Sequence, residues 1–182
     1  IILTTMTDSN GSYSFVNVPP NNYTIIQTDL NGYTIVNNTI YVTLNAGETD
    51  TENNFIDVQL GNITGSVTDS DGTSLHGVTI LLMEDGNNNN IQSTLTDTSG
   101  SYSFTNLGPN NYTVIQTNFI GYQDISDQDE QADGDIFDSD TTVDNAVHVT
   151  LEPGEADAGN DFVDIKLGNI TGSVTDSNGN NL

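Results

Sequence analysis

The sequence predicts an all-β protein made of tandem antiparallel β-sandwich repeats, and three observations lead there. Short apolar or alternating runs are separated by turns rich in Gly, Asp and Asn, the pattern of strands rather than helices. No window carries a convincing helical period. Long stretches also occur twice: GNITGSVTDS stands at 61–70 and again at 168–177, 107 residues further on. GSYSF at 11–15 returns at 100–104, and NNYTIIQT at 21–28 returns as NNYTVIQT at 110–117. TLNAGETDTENNFIDVQLG at 43–61 returns as TLEPGEADAGNDFVDIKLG at 150–168.

A unit of 107 residues is of ordinary domain size. The spacing divides the chain into a complete repeat at 61–167, a partial one at 1–60 without its first two strands, and the first strand of a following repeat at 168–182. Within the complete repeat, strands are expected at 63–68 and at 78–83, the latter an apolar run suited to a buried strand. Asp69-Ser70-Asp71-Gly72 between them reads as a turn. A third strand at 91–96, preceded by a polar turn at 87–90, runs into the turn Asp97-Thr98-Ser99-Gly100. Tyr102 and Phe104 then alternate inward on a fourth. The fifth, sixth and seventh fall at 112–117, 147–151 and 162–167, with Pro153-Gly154 marking the last turn. Ile2 aligns with Ile91, so the partial copy opens on a third strand, and a sandwich short of strands leaves open edges that need covering.

Charge removes several functions. The chain has 26 acidic residues against one Lys and no Arg, for a net charge of −25. Binding nucleic acid requires cations that replace phosphate counterions, and an anionic membrane surface demands the same. Neither partner is expected, and no stretch approaches the ~20 apolar residues of a membrane span. Copies of so acidic a chain repel one another, so assembly calls for salt, divalent cations or strong backbone pairing. Without cysteine there are no disulfides and no thiol chemistry.

The motif order carries a family resemblance. Asp97-Thr98-Ser99-Gly100-Ser101-Tyr102-Ser103-Phe104 is followed by LGPNNYTV, then an Asp-rich stretch after Gly121-Tyr122, then VTLEPGE and GNDFVD. Together these resemble the B-type domains of serine-aspartate-repeat surface adhesins, relatives of the collagen-adhesin B-type and transthyretin-like, immunoglobulin-like sandwiches. The resemblance implies an extracellular stalk or spacer, arranged in tandem, and associated with calcium.

The acidic stretch is the sharpest candidate site. Asp124, Asp127, Asp129, Glu130, Asp133, Asp135, Asp138, Asp140 and Asp144 place nine carboxylates in 21 residues. Calcium takes six to eight oxygen ligands, and such a stretch can supply them. Asp124, Asp127, Asp129, Asp133, Asp135, Asp138 and Asp140 are the expected ligands, although Gln131 breaks an EF-hand register. A solvated acidic insertion is the plain alternative. Asp69 and Asp97 are read as turn formers rather than ligands. N-x-[ST] sequons stand at Asn10, Asn22, Asn37, Asn62, Asn111 and Asn169. Asn22 recurs as Asn111, and Asn62 as Asn169, which is compatible with N-linked glycans and equally with duplication alone. A repeated Lys–Asn crosslink is not expected, because Gln59 stands where the complete copy has Lys166. His76 and His148 show no catalytic or zinc spacing.

No enzyme is expected. The sequence is read as a structural segment of an extracellular filament, pilus-like fibre or stalk, its copies joined to themselves head to tail by strand donation or by continuation of the chain. A calcium-dependent adhesin that binds protein or carbohydrate is the alternative.

Overall fold

A computed structural model describes residues 2–28, 30–86, 90–129 and 143–182, with Gln128 and Asp129 described by their backbone alone. The chain forms two compact units, Ile1–Asp57 and Val58–Leu182. The first holds strands β1 (Asn21–Ile26), β2 (Tyr33–Ile35) and β3 (Thr39–Leu44), and its last residue opens β4 (Asp57–Gln59), which runs into the second. The second holds β5 (Gly61–Asp69), β6 (Thr79–Glu84), β7 (Asn90–Leu95), β8 (Ser101–Leu107), β9 (Asn110–Gln116), β10 (Tyr122–Asp129), β11 (Ala146–Leu151), β12 (Ala156–Ala158) and β13 (Asn160–Lys166).

The second unit is a two-sheet sandwich, and the protein is all-β. One sheet runs β11-β9-β6-β7, antiparallel throughout. The other runs β10-β13-β5-β12, with β8 paired to β5. Alternation fills the space between them: Ile63 and Val67 from β5, Ile80 and Leu82 from β6, Tyr102 and Phe104 from β8, Val114 from β9, Val147 and Val149 from β11 and Phe162 from β13 are all buried. Tyr102 stacks edge-on against Phe104 at 5.9 Å, and its hydroxyl donates to the Asn160 carbonyl at 2.5 Å, so a large ring is buried without an orphaned polar tip. Gly65 is obligatory beside this pair, since a Cβ there would lie 1.9 Å from the Asn160 oxygen.

Two strands go beyond the seven expected. β12 is three residues long and pairs parallel with β5, as part of β13 also does, so the sheet is mixed. β10 lies where the acidic stretch reads as loop. Aspartate has poor strand propensity, yet β10 pairs antiparallel with β13 from Tyr122↔Lys166 to Asp129↔Asn160. A register shift between Asp124 and Ser126 sets Ile125 outward at 41% exposure. That bulge lets residues three apart, Asp124 and Asp127, both face inward, which a regular period of two forbids.

The first unit repeats one part of this design and loses another. The β1–β3 ladder (Asn21↔Leu44 to Ile26↔Thr39) matches β9–β11. Tyr13 donates to the Asn53 carbonyl at 2.6 Å as Tyr102 does to Asn160, and Gln27 donates to Asp57 at 2.5 Å as Gln116 does to Asp164. Residues 12–18 (SYSFVNV), however, form no strand, although SYSFTNL is β8. Residues 49–51 and 53–56, the counterparts of β12 and of the start of β13, are not strands either. All three segments correspond to neighbours of β5, for which residues 1–57 contain no counterpart.

Candidate functional site

The inner face of β10 meets β9, β13 and the turn before β11 in a buried polar cluster. Asp124, Asp127, Asp164 and Gln116 are 6%, 4%, 1% and 2% exposed. Asp124 accepts the backbone N–H groups of Ser126 at 3.2 Å and Asn145 at 3.1 Å. Asp127 accepts those of Asp144 at 3.0 Å and Ala146 at 3.2 Å, so the two aspartates fasten the backbone leading into β11. Gln116 donates to Asp164 at 2.7 Å across the cluster. Burial raises the Asp164 carboxyl above the ordinary range, offset in part by the Gln116 amide. Burial likewise raises Asp124, and the neighbouring Asp127 adds to the effect. Among the described residues, Asp127 Oδ1, Gln116 Oε1 and the Asn145 side-chain oxygen are buried here without a hydrogen-bond partner.

Of the residues expected to ligate calcium, Asp124 and Asp127 therefore come together. The backbone of Asp129 closes β10 opposite Asn160. Asp133, Asp135, Asp138 and Asp140 lie outside the described residues. Among the described residues, no three His, Cys, Asp or Glu side chains are grouped so as to hold a metal ion. Sequence reasoning passed over Gln116 and Asp164. A signal was present, since both recur in the partial copy as Gln27 and Asp57, inside the repeated IQT and F-[IV]-D strings.

The turn aspartates do what the spacing suggests. Asp97 Oδ1 accepts the N–H groups of Ser99 at 2.8 Å and Ser101 at 3.0 Å, and Gly100 completes the turn at φ 77°. Asp69, Asp8 and Asp176 make the same pair of bonds in their own D-x-x-G turns. The hydrogen bond from the Ser99 hydroxyl, with those from its turn N–H groups, lowers the Asp97 carboxyl below the usual range; the Thr73 N–H leads the same effect at Asp69.

The sequon asparagines are surface residues to different degrees. Asn22, Asn62 and Asn169 are exposed, and Asn111 is half-buried. The Asn22 and Asn111 side-chain oxygens (Oδ1) accept from the Thr43 hydroxyl at 2.9 Å and the Thr150 hydroxyl at 3.0 Å, the same cross-strand pair in both copies. His76 contacts the Thr96 carbonyl and His148 the Thr113 hydroxyl, in separate places. Among the described residues no helix is long and apolar enough to cross a membrane.

Fold and turns define an all-β protein with a β-sandwich unit. Its chain belongs to the family described as the carboxypeptidase regulatory-like domain, whose model matches residues 62–156, a little over half of it. It is 34% identical over 100 residues to the serine-aspartate repeat-containing protein I of Staphylococcus saprophyticus, covering 48% of this chain and 5% of that protein. It is 31% identical over 134 residues to Colossin-A of Dictyostelium discoideum, covering 65% of this chain and 1% of that one. The chain thus spans a small fraction of either relative. Solved structures of similar fold include the Bacillus anthracis TIE protein (TM-score 0.46, 17% identity, 88% of this chain and 28% of that). Another is the Streptococcus agalactiae minor pilin GBS52 (TM-score 0.44, 15% identity, 93% of this chain and 70% of that).

Proposed function

We propose that this chain is a non-catalytic structural segment of an extracellular filament or surface stalk built from β-sandwich repeats that share strands head to tail. The carrying observation is the junction between copies. β4 ends at Gln59 and β5 begins at Gly61, so one repeat's last strand passes into the next repeat's first strand through a single residue. Repeats connected this way extend a protein at the cost of very little chain, which suits a spacer. The resemblance to serine-aspartate-repeat adhesin domains supports the extracellular setting, and exposed Asn22, Asn62 and Asn169 are available there to N-linked glycans. Electron microscopy of the native assembly tests the reading. It expects a row of sandwich-sized beads, and compact particles without a repeat would remove it.

A second reading concerns the cation. The buried pair Asp124 and Asp127, with oxygens on Asp127, Gln116 and Asn145 that have no partner among the described residues, supports calcium bound beside β10. Oxygen donors of this hardness fit calcium, and Asp129, Asp133, Asp135, Asp138 and Asp140 are proposed to complete its shell. The ion would offset the burial, and after it the Asp127 charge, that raise the Asp124 carboxyl. Calorimetric titration and melting with and without chelator decide it: unchanged heat and melting temperature would end this reading.

A further inference from the structure

Asparagine precedes glycine at three places, Asn10-Gly11, Asn31-Gly32 and Asn178-Gly179. Such a pair carries a chemistry of its own. A glycine has no side chain to shield its backbone nitrogen, which can attack the Cγ of the asparagine before it and expel the side-chain amide. Whether it does so depends on how firmly the turn holds that nitrogen. We infer that Asn31 is a site of spontaneous deamidation, and that the turns at Asn10 and Asn178 protect those two residues from it.

Exposure does not separate the three, because all of these asparagines are exposed, and each glycine has a positive φ, of 75°, 82° and 82° in chain order. Hydrogen bonding does. The Gly11 N–H donates to the Asp8 carbonyl at 3.0 Å. Three more bonds close that turn: the Asn10 and Ser12 N–H groups donate to Asp8 Oδ1, and the Asp8 N–H donates to the Ser12 carbonyl. Asp176 holds the Gly179 N–H at 3.0 Å with the same three supporting bonds. The turn at Asn31 is closed by one backbone bond, from the Tyr33 N–H to the Leu30 carbonyl at 3.1 Å. Among the described residues no acceptor meets the Gly32 N–H.

Both arrangements recur inside the sandwich unit, so they belong to the turns themselves. Asp69 and Asp97 hold Gly72 and Gly100 as Asp8 holds Gly11. The Tyr122 N–H donates to the Phe119 carbonyl at 3.0 Å as Tyr33 donates to Leu30, with Gly121 at φ 86°. Its N–H again meets no acceptor among the described residues. Ile120, the counterpart of Asn31, is 96% exposed, so this turn position is open in the sandwich as well. Isoleucine has no amide to lose, and the chemistry is confined to the copy that has Asn31.

The step needs only water. The Gly32 nitrogen bonds to Asn31 Cγ, its proton passes through water to the departing Nδ2, and the Cγ–Nδ2 bond breaks to release ammonia. A five-membered succinimide results, and water then opens it. Breaking the new Cγ–N bond leaves an aspartyl residue at position 31. Breaking the original peptide bond leaves an isoaspartyl residue, with the side-chain methylene now in the main chain. Either product adds a carboxylate to a chain already at −25. The isoaspartyl form also lengthens the turn that leads into β2, the partner of β4.

The test holds the 182-residue chain in mildly alkaline buffer and follows its three Asn-Gly peptides by mass spectrometry after proteolysis. Enzymatic methylation of isoaspartyl carboxyls gives a second readout. Opening either locked turn breaks four bonds where the Asn31 turn breaks one. Each net hydrogen bond shifts such an opening roughly three- to tenfold, so Asn31 should convert at least about tenfold faster than Asn10 or Asn178. Urea should erase that lead, since Leu30 before Asn31 is bulkier than the Ser9 and Ser177 that precede the other two. Asp176 belongs to neither sheet of the sandwich, and Asp176→Ala should speed conversion of Asn178 severalfold by unlocking its turn. Asn31→Gln, which would have to close a larger ring, should be inert at its own position. Equal native rates at the three sites, an Asn31 lead that survives urea, or an Asp176→Ala chain whose Asn178 reacts as slowly as the parent's would each overturn the inference.

Discussion

Replacing Phe104 and Phe15 by alanine, one at a time, asks what a missing strand does to identical residues. Both sit in the string SYSF. Phe104 is 2% exposed in the sandwich core and packs edge-on with Tyr102. Truncating a fully buried Phe costs about 3–5 kcal/mol, the lost transfer energy plus the cavity left behind. At roughly 5 °C per kcal/mol for a unit of this size, the unfolding midpoint of Val58–Leu182 should fall by about 15–25 °C. Phe15 belongs to the other compact unit and is half-buried. Phe15→Ala should leave the Val58–Leu182 transition within about 1 kcal/mol of the parent. Scanning calorimetry, with denaturant unfolding followed by tyrosine emission in a chain without Trp, reads both. Equal losses in the two variants would refute the argument that covering by β5 makes the difference.

Acid and base titrate opposite groups. The Asp124 and Asp164 carboxyls are raised in the folded state, so their contribution is present below the ordinary carboxylate range and is lost as pH climbs through the raised values. Asp164→Asn, which can still accept from Gln116, should therefore stabilise the unit near neutrality and flatten the pH profile above about pH 4. Asp97 is lowered, so its contribution is present above the ordinary range and lost as pH falls through the lowered value. Asp97→Asn should flatten the acid limb instead, and urea midpoints across pH distinguish the two. Gly65→Val sets a Cβ against the Asn160 carbonyl and the Tyr102 hydroxyl, so circular dichroism should report loss of the folded second unit. Gly172→Val, in the same local sequence, should leave that signal unchanged.

Strings and turns are legible in the amino-acid sequence alone. D-x-x-G at Asp69 and Asp97 reads as a turn because a carboxylate two and four residues before an N–H can bond to it without help from the rest of the fold. Apolar alternation marked Tyr102 and Phe104 as core for an equally local reason. The buried acids were not legible in that way. Asp124 and Asp127 read as loop residues, and what turns both inward is a bulge opposite β13, a strand more than thirty residues further on. Gln116 and Asp164 face each other only because β9 and β13 come from different sheets of one sandwich.

The amino-acid sequence by itself determines the repeat, its turns and the side chains able to form a core. Whether those side chains become a core is decided by tertiary structure. GNITGSVTD is a strand at 61–69 and, apart from one bridge at Thr175, irregular at 168–176, and SYSF is strand at 101–104 and irregular at 12–15. Local propensity is the same in each pair. The hydrogen-bonded neighbour that satisfies the backbone and covers the apolar face is not, and a strand exists only where that neighbour is supplied.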